Sequence, residues 1–308
     1  MKSCSPEKSS SNNQQGNGVC PTNIRYTINE VEELIKDLTP EEKTKQYSKY
    51  FYRPIVPPAS ERLAVIDKPM DPSKALPIEQ INDLLNRGYH EVESGWCILP
   101  NGAGYVANHT PMPGVTVDMI NWWMAWHGLE SLRYKLWYRP AHFEVSLSDK
   151  DRAKVLDPGR SLAQKNYGVT HFVIEDIGGG SAEKIAISFM SPEEVGFDMS
   201  RFKSPNVGTI VAANGVSQLI NPPPGVPNIK SPAFMLHFIR EVSEGIEYRT
   251  RFWIGYHIVD RIPNLLLPKG VKLPDFVPTD LARHNVQEYT HLASFLPEIY
   301  GEQKGIVS

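Results

Sequence analysis

The stretch FMLHFIREVSEGIEYRTRFWIGY, residues 234–256, constrains the fold more than any other part of the chain. Apolar and aromatic residues crowd both sides of a short Ser- and Gly-containing turn, the pattern of two antiparallel strands in a hairpin. THFVIEDIG, KIAISFMS and GTIVAANG precede it as shorter strand patterns separated by Gly, Ser and Pro. Strands run together in this way, with helical patterns before and after, predict an antiparallel sheet in an α+β fold rather than alternating βαβ units.

Helical signals flank the sheet. Residues 1–24 are Ser, Asn, Gln and Gly with almost no apolar side chains, a composition that does not offset ordering entropy, and are expected to be disordered. From Thr27, INEVEELIKDLTPEEKTKQYSKYFY has helical periodicity, and IEQINDLLNRG (78–88) predicts a second short helix ending at Gly88. GWCILPNGAGYVANHTPMP predicts a hairpin about its N-G-A-G turn. Thr116 is the expected N-cap of an aromatic helix reaching Trp137, with Trp123, His127, Glu130 and Tyr134 on one stripe and Met119, Trp122, Trp126 and Leu129 on another. A closing helix is expected over 279–296, with Thr279 and Asp280 as N-cap after Pro278 and Pro297 as its end. The chain thus divides into a disordered start (1–24), a mainly helical portion (25–114) and a catalytic portion (115–308) whose curved sheet, wrapped on the closing helix, would enclose a cavity.

With 308 residues and a formal net charge of −3, and with no basic run alternating with aromatics, a small molecule is a better partner than nucleic acid. The 26 prolines and 10% aromatic residues imply many loops and an aromatic-lined interior. Cys4, Cys20 and Cys97 are odd in number and not in C-x-x-C spacing, which argues against a disulfide framework and a thiolate zinc site. Neither a long apolar run nor a secretory h-region is found, so no membrane span is expected and a cytosolic protein is. The triple glycine at 178–180 reads as a turn, since no helix onset follows it.

Chemistry enters with LARHNVQEYTHLASF. His284 and Glu288 stand four residues apart, so on a helix their side chains lie about 40° apart and lean the same way. Alone, such a pair is more often solvated than ligating. Glu175, however, sits inside the apolar strand pattern HFVIEDI, where a carboxylate either turns to solvent or has a cation, because burying it bare costs several kcal/mol. His142 follows the aromatic helix, while His90, His109 and His257 read as structural or solvated.

MPGVTVDMINWWMAWHG, RYKLWYRPAH, RTRFWIGY and RHNVQEY give the chain, from about residue 45 onward, a clear resemblance to the zinc-dependent carbon–carbon hydrolases of acylated phloroglucinols, the family of 2,4-diacetylphloroglucinol and phloretin hydrolases. The resemblance implies a Zn2+ site of two His and two Glu, falling on His142, Glu175, His284 and Glu288, a donor set that Mn2+, Co2+ or Fe2+ could also use. It further implies catalytic roles for Tyr134 and His237, a phenolic ketone substrate, a Bet v 1-like helix-grip domain and a homodimer. His127 is a weaker pocket candidate, and His291 reads as a group behind the ligands or an alternative ligand. Val145 and Phe252 stand where the family has an Asn and a Tyr, which removes hydrogen-bonding groups and implies a less polar or differently substituted acyl-phenol. Two other classes stay open: a metal-dependent lyase, isomerase or cyclase acting on an aromatic polyketide, and a non-catalytic carrier of a hydrophobic ligand.

Overall fold

A computed structural model describes residues 37–178, 181–203, 206–222, 224–225 and 228–306. The expected disorder of 1–24, the first part of the helix expected from Thr27, Cys4, Cys20, and Gly179 and Gly180 of the triple glycine lie outside the described residues.

The architecture is α+β. Eight strands form one antiparallel sheet: β1 (Gly95–Ile98), β2 (Gly104–Pro113), β3 (His142–Ser146), β4 (Thr170–Glu175), β5 (Glu183–Met190), β6 (Thr209–Leu219), β7 (Ser231–Val242) and β8 (Gly245–Ile254). Their order in space is β1-β2-β8-β7-β6-β5-β4-β3, so the β1–β2 hairpin joins the sheet beside β8 and the sheet takes two strands from the 25–114 portion. A small separate hairpin, β9 (Tyr256–Val259) with β10 (Ile262–Leu265), follows.

The β7–β8 hairpin is the one expected, with Val242 opposite Gly245 across a two-residue turn. Gly245 has φ +149°, and a Cβ there would stand 2.4 Å from the Met112 carbonyl oxygen of β2, so the strand edge closes only over a glycine. Side chains then alternate along β8. Arg249, Arg251 and Trp253 point to the outer face, where the Trp253 indole donates to the Leu76 carbonyl and both arginines bond Glu93. Tyr248, Thr250 and Phe252 point inward, toward His237 and the cavity.

The outer face is covered by a 3-10 helix, Ile78–Leu85, kinked at Gln80, which buries Ile78, Ile81 and Leu84 against Phe234, Leu236, Phe238 and Tyr105. The expected α-helix of 78–88 is therefore present as a tighter turn. The described part of the segment from Thr27 is likewise broken, into an α-turn at Pro40–Lys43 and a 3-10 stretch at Gln46–Tyr52. Tyr47, Tyr50 and Phe51 are its buried anchors, with Tyr47 edge-on to Trp126 and Tyr50 tilted on Phe295.

Of the four longer helices, α1 spans Val117–Trp126, α2 Ser131–Trp137, α3 Asp149–Leu156 and α4 Phe276–Gln303. The aromatic helix starts at the expected Thr116 N-cap, whose hydroxyl accepts from the Met119 amide, but it does not run unbroken to Trp137. His127–Leu129 form a 3-10 turn, and Glu130 is fully extended (φ −158°, ψ 136°). Tertiary contacts hold that break: the Glu130 carboxylate accepts from the Tyr47 hydroxyl and pairs with Arg133, whose guanidinium lies over Trp126.

The closing helix α4 is longer than expected at both ends. It begins at Phe276, so Pro278 falls in its first turn, where the missing N–H has no partner to lose, and Thr279 and Asp280 are helical rather than caps. It continues through Pro297 because Leu296 and Ile299 are buried on either side, and that packing outweighs one lost backbone bond. No helix among the described residues is long and apolar enough to cross a membrane.

The charged knot on the outer face ties the segment ahead of β1 to β8. Glu93 lies 2.6 Å from Arg249 and 2.7 Å from Arg251, whose side chains are 1% and 0% exposed. Burial alone would raise the Glu93 carboxyl, but the two guanidinium groups outweigh it and hold it down at about 2. A depressed carboxyl stabilises the fold at pH values above its unfolded value and loses that effect as pH falls through the folded one. Stability supplied by Glu93 should therefore be complete above about pH 4.5 and vanish toward pH 2. Glu93→Gln should cost about 3 kcal/mol at neutral pH in denaturant unfolding, because it leaves two guanidinium groups buried without their anion.

Candidate metal centre

Three elements meet at the cluster: α4 brings His284 and Glu288, β3 opens with His142, and β4 ends with Glu175. The β3–β4 ladder places His142 directly opposite Glu175, with a register shift between His142 and Glu144. His142, His284 and Glu288 form a buried group whose donor atoms all lie within 4.8 Å of one another. From His142 Nε2 the distances are 3.3 Å to His284 Nε2, 3.4 Å to Glu288 Oε2 and 3.5 Å to Glu175 Oε2. His284 Nε2 stands 3.7 Å from Glu288 Oε2. Glu175 is not part of the group of three but flanks it through His142.

These spacings fit a shared cation. Donors at about 2.0–2.1 Å around a tetrahedral ion stand about 3.4 Å from each other. The donor chemistry fits as well. Burial pushes His284 down to about 4 and His142 well below its usual value, so both imidazoles are neutral. Burial also pushes Glu175 up to about 7, against the hydrogen bond from Tyr134, with Glu183 and Asp176 raising it further. Glu288 is raised well above the carboxylate range by burial and by the charge of Glu175. Two such carboxylates ionise together only beside a cation.

Their neighbours orient them. The Tyr134 hydroxyl donates to Glu175, and the Tyr134 ring stacks on His142 at 4.3 Å and 4°. On the other side Asn285 Nδ2 donates to Glu288 Oε1 at 3.2 Å. Asn108 of β2 donates to Asn285 Oδ1 and to the Ala282 carbonyl, both at 3.0 Å. Nothing in the sequence pattern singled out these asparagines, since one lies in a strand and the other in a helix 177 residues away.

The cluster opens into a cavity of about 470 Å³ enclosed between the sheet and α4. Its inner end is aromatic and polar, with His127, Tyr134, Trp137 and His171, while its mouth has Ile229, Leu273 and Phe276. His237 lines the cavity, and both its ring nitrogens are engaged. Nδ1 pairs with Thr250 Oγ1 at 3.0 Å, and Nε2 with the Tyr289 hydroxyl at 3.1 Å, which in turn accepts from Tyr248 at 2.9 Å. Burial pushes His237 down to about 3, so it is a neutral member of this chain. Tyr289, next to Glu288, was missed by the sequence reading; its position beside a ligand pair on a buried helix was the available signal. His171 was missed too, although the period of two that turns Glu175 inward turns Val173 and His171 inward with it.

His291 lies elsewhere. Its Nδ1 accepts from the Val56 amide at 3.2 Å, tying α4 to the N-terminal segment, and it belongs neither to the group of three nor to the cavity wall. Phe252 lines the cavity, where it presents an apolar ring. Val145 packs in the core and is not part of the wall.

A family model described as the DAPG hydrolase PhiG domain matches residues 76–301. Phloretin hydrolase of Eubacterium ramulus is 34% identical over 269 residues, 86% of this chain and 92% of that one. A 2,4-diacetylphloroglucinol hydrolase of Pseudomonas protegens is 30% identical over 272 residues, 84% of this chain and 85% of that one.

The inner wall depends on a close approach at the helix break. A Cβ on Gly128 would fall 2.3 Å from Cε1 and 2.6 Å from Nε2 of His171, whose ring is fixed edge-on to Phe189 and His127. Gly128→Ala should therefore displace the imidazole and lower stability by about 1–3 kcal/mol, measured by denaturant unfolding.

Proposed function

The chain belongs to the DAPG hydrolase family, and from that premise we propose that it is a metal-dependent hydrolase of acyl-phenols, cleaving the carbon–carbon bond between a polyhydroxylated ring and an acyl group to give a phenol and a carboxylic acid. The observation that carries this reading is the cluster of two neutral imidazoles and a carboxylate at ion-sharing distances, flanked by a second carboxylate, in the wall of an aromatic cavity. His142, Glu175, His284 and Glu288 would hold Zn2+ through their Nε2 and carboxylate oxygens. Bound there, zinc would polarise the aryl ketone and lower the pKa of a water.

The protein's own groups have the remaining work. In the net reaction the oxygen of water goes to the acyl carbon and a proton goes to the ring carbon, which leaves as an arene C–H. A phloroglucinol-type ring accepts that proton through its keto tautomer. Tyr134 keeps Glu175 oriented through its hydroxyl and offers a face beside the cluster. The Tyr248–Tyr289–His237–Thr250 chain supplies a relay in which His237 holds or passes a proton for the Tyr289 hydroxyl. The apolar walls exclude bulk water. The same proposal takes the protein as a cytosolic homodimer with a Bet v 1-like helix-grip core in 115–308, to whose sheet the β1–β2 hairpin of the preceding portion is added; light scattering checks the dimer.

Zinc-loaded protein should release acid from diacetylphloroglucinol or phloretin, followed by chromatography; failure on every acyl-phenol would sink the proposal, and a product of unchanged mass would favour the isomerase or cyclase class instead. His284→Ala should abolish both metal content, read by elemental analysis, and turnover. Asn285→Ala, which leaves Glu288 unoriented, should weaken metal affinity about 10–100-fold in a competition titration with a chelator.

A further inference from the structure

Outside the ligand cluster, and unlike His237, whose ring nitrogens are both engaged, one histidine of the cavity wall has its Nδ1 fixed by a backbone carbonyl and its Nε2 left open. His127 follows α1 at the inner end of the cavity, 2% exposed, with its Nδ1 2.7 Å from the Trp123 carbonyl oxygen. A carbonyl only accepts, so Nδ1 carries the proton. The ring is neutral in this apolar setting, burial holding it down at about 4, and a neutral imidazole protonated on Nδ1 has a bare lone pair on Nε2. No described residue donates to that nitrogen, while the ring itself is clamped between Trp123, Trp137 and His171. The inner end of the cavity thus presents a fixed acceptor and calls for a ligand with an O–H or N–H.

His127 also has a defined place relative to the cluster. The Tyr134 ring lies between it and His142, stacked on both, 6.1 Å from the former and 4.3 Å from the latter. Away from this end, the route to solvent is flanked by Ile229 and Phe276, 65% and 57% exposed, which suit an apolar chain, with Asp280 one turn along α4 from Phe276 as a polar group in the same wall.

We propose that His127 Nε2 accepts a hydrogen bond from the ring hydroxyl farthest from the acyl group, so that the substrate's ring enters first and its acyl chain trails toward the mouth. This rests on the acyl-phenol reading above and adds to it an orientation and a specificity residue: the ring must carry a hydroxyl para to the acyl group, and the acyl chain is free to be long and apolar. Leaving the His127 acceptor unmet in a dry site is what penalises a ring without that hydroxyl.

The probes are 2,4,6-trihydroxyphenyl methyl ketone and its analogue lacking the 4-hydroxyl, with binding to the zinc-loaded protein measured by calorimetry and turnover measured separately. The protein should bind the trihydroxy ketone about tenfold more tightly than the analogue, a preference that His127→Phe removes while keeping a ring in place. Equal binding of the two ketones to the unsubstituted protein, binding of neither, or a preference that survives in His127→Phe would overturn the proposal. Should His127→Phe fail to give a cooperative thermal transition, the comparison on the unsubstituted protein decides alone. The two readings separate cleanly: the binding preference without turnover would leave the His127 assignment standing and remove the hydrolase, and turnover without the preference would do the reverse.

Discussion

Helix α4 is held to the sheet at its polar centre by a hydrogen-bonded line from Asn108 through Asn285 to Glu288, and the rest of the cavity is organised around that line. Both asparagines are 1% exposed, so each amide must find partners inside the protein or leave a costly unmet group. Asn108 meets this by reaching the helix backbone at Ala282 as well as Asn285, which fixes the helix along its own axis. A slide of the helix by one turn would break both bonds from Asn108 and carry His284 and Glu288 away from β3. Apolar packing by Val286, Leu292 and Phe295 supplies the adhesion, and the amides supply the position.

Within that frame the cavity keeps its histidines neutral and its carboxylates hard to ionise. His127, His142, His237 and His284 are all pushed down by burial, and Glu175 and Glu288 are pushed up by it. A site of this kind repels bare charge and admits either a cation that satisfies the carboxylates or a neutral molecule with a few polar edges. A phenolic ketone is such a molecule. The aromatic shell of Trp123, Trp126 and Trp137 contributes area and stiffness rather than polarity, setting the orientation of the rings in front of it.

Much of this was legible in the chain. Helical spacing puts His284 and Glu288 on one face, and an apolar strand around a carboxylate marks Glu175, but only the family resemblance joins them with His142 into one ligand set. The β7–β8 hairpin follows from its own composition. What escaped was set by distant partners. Glu130 adopts an extended backbone where Tyr47, 83 residues away, holds its carboxylate together with the nearby Arg133, and no local pattern announces the distant tyrosine. Pro297 reads as a stop, yet burial on both sides carries the helix through it. The segments around Tyr47 and Ile81 have helical periodicity, but their anchoring side chains are met equally well by 3-10 turns, which place every third residue on one face.

The alternation along β8 also bears on how the chain finds its fold. Arg249 and Arg251 are odd-numbered neighbours of Tyr248, Thr250 and Phe252, and the two sets serve opposite faces. A slip of one residue against β7 or β2 would turn two guanidinium groups into an apolar cavity and strand Glu93 without a partner. Alkyl side chains in place of the arginines would tolerate that error, because either face of the sheet could bury them. The buried ion pairs therefore act as a proofreading device during strand assembly, making the misregistered sheet far less stable than the correct one and leaving a single arrangement in which the cavity can form.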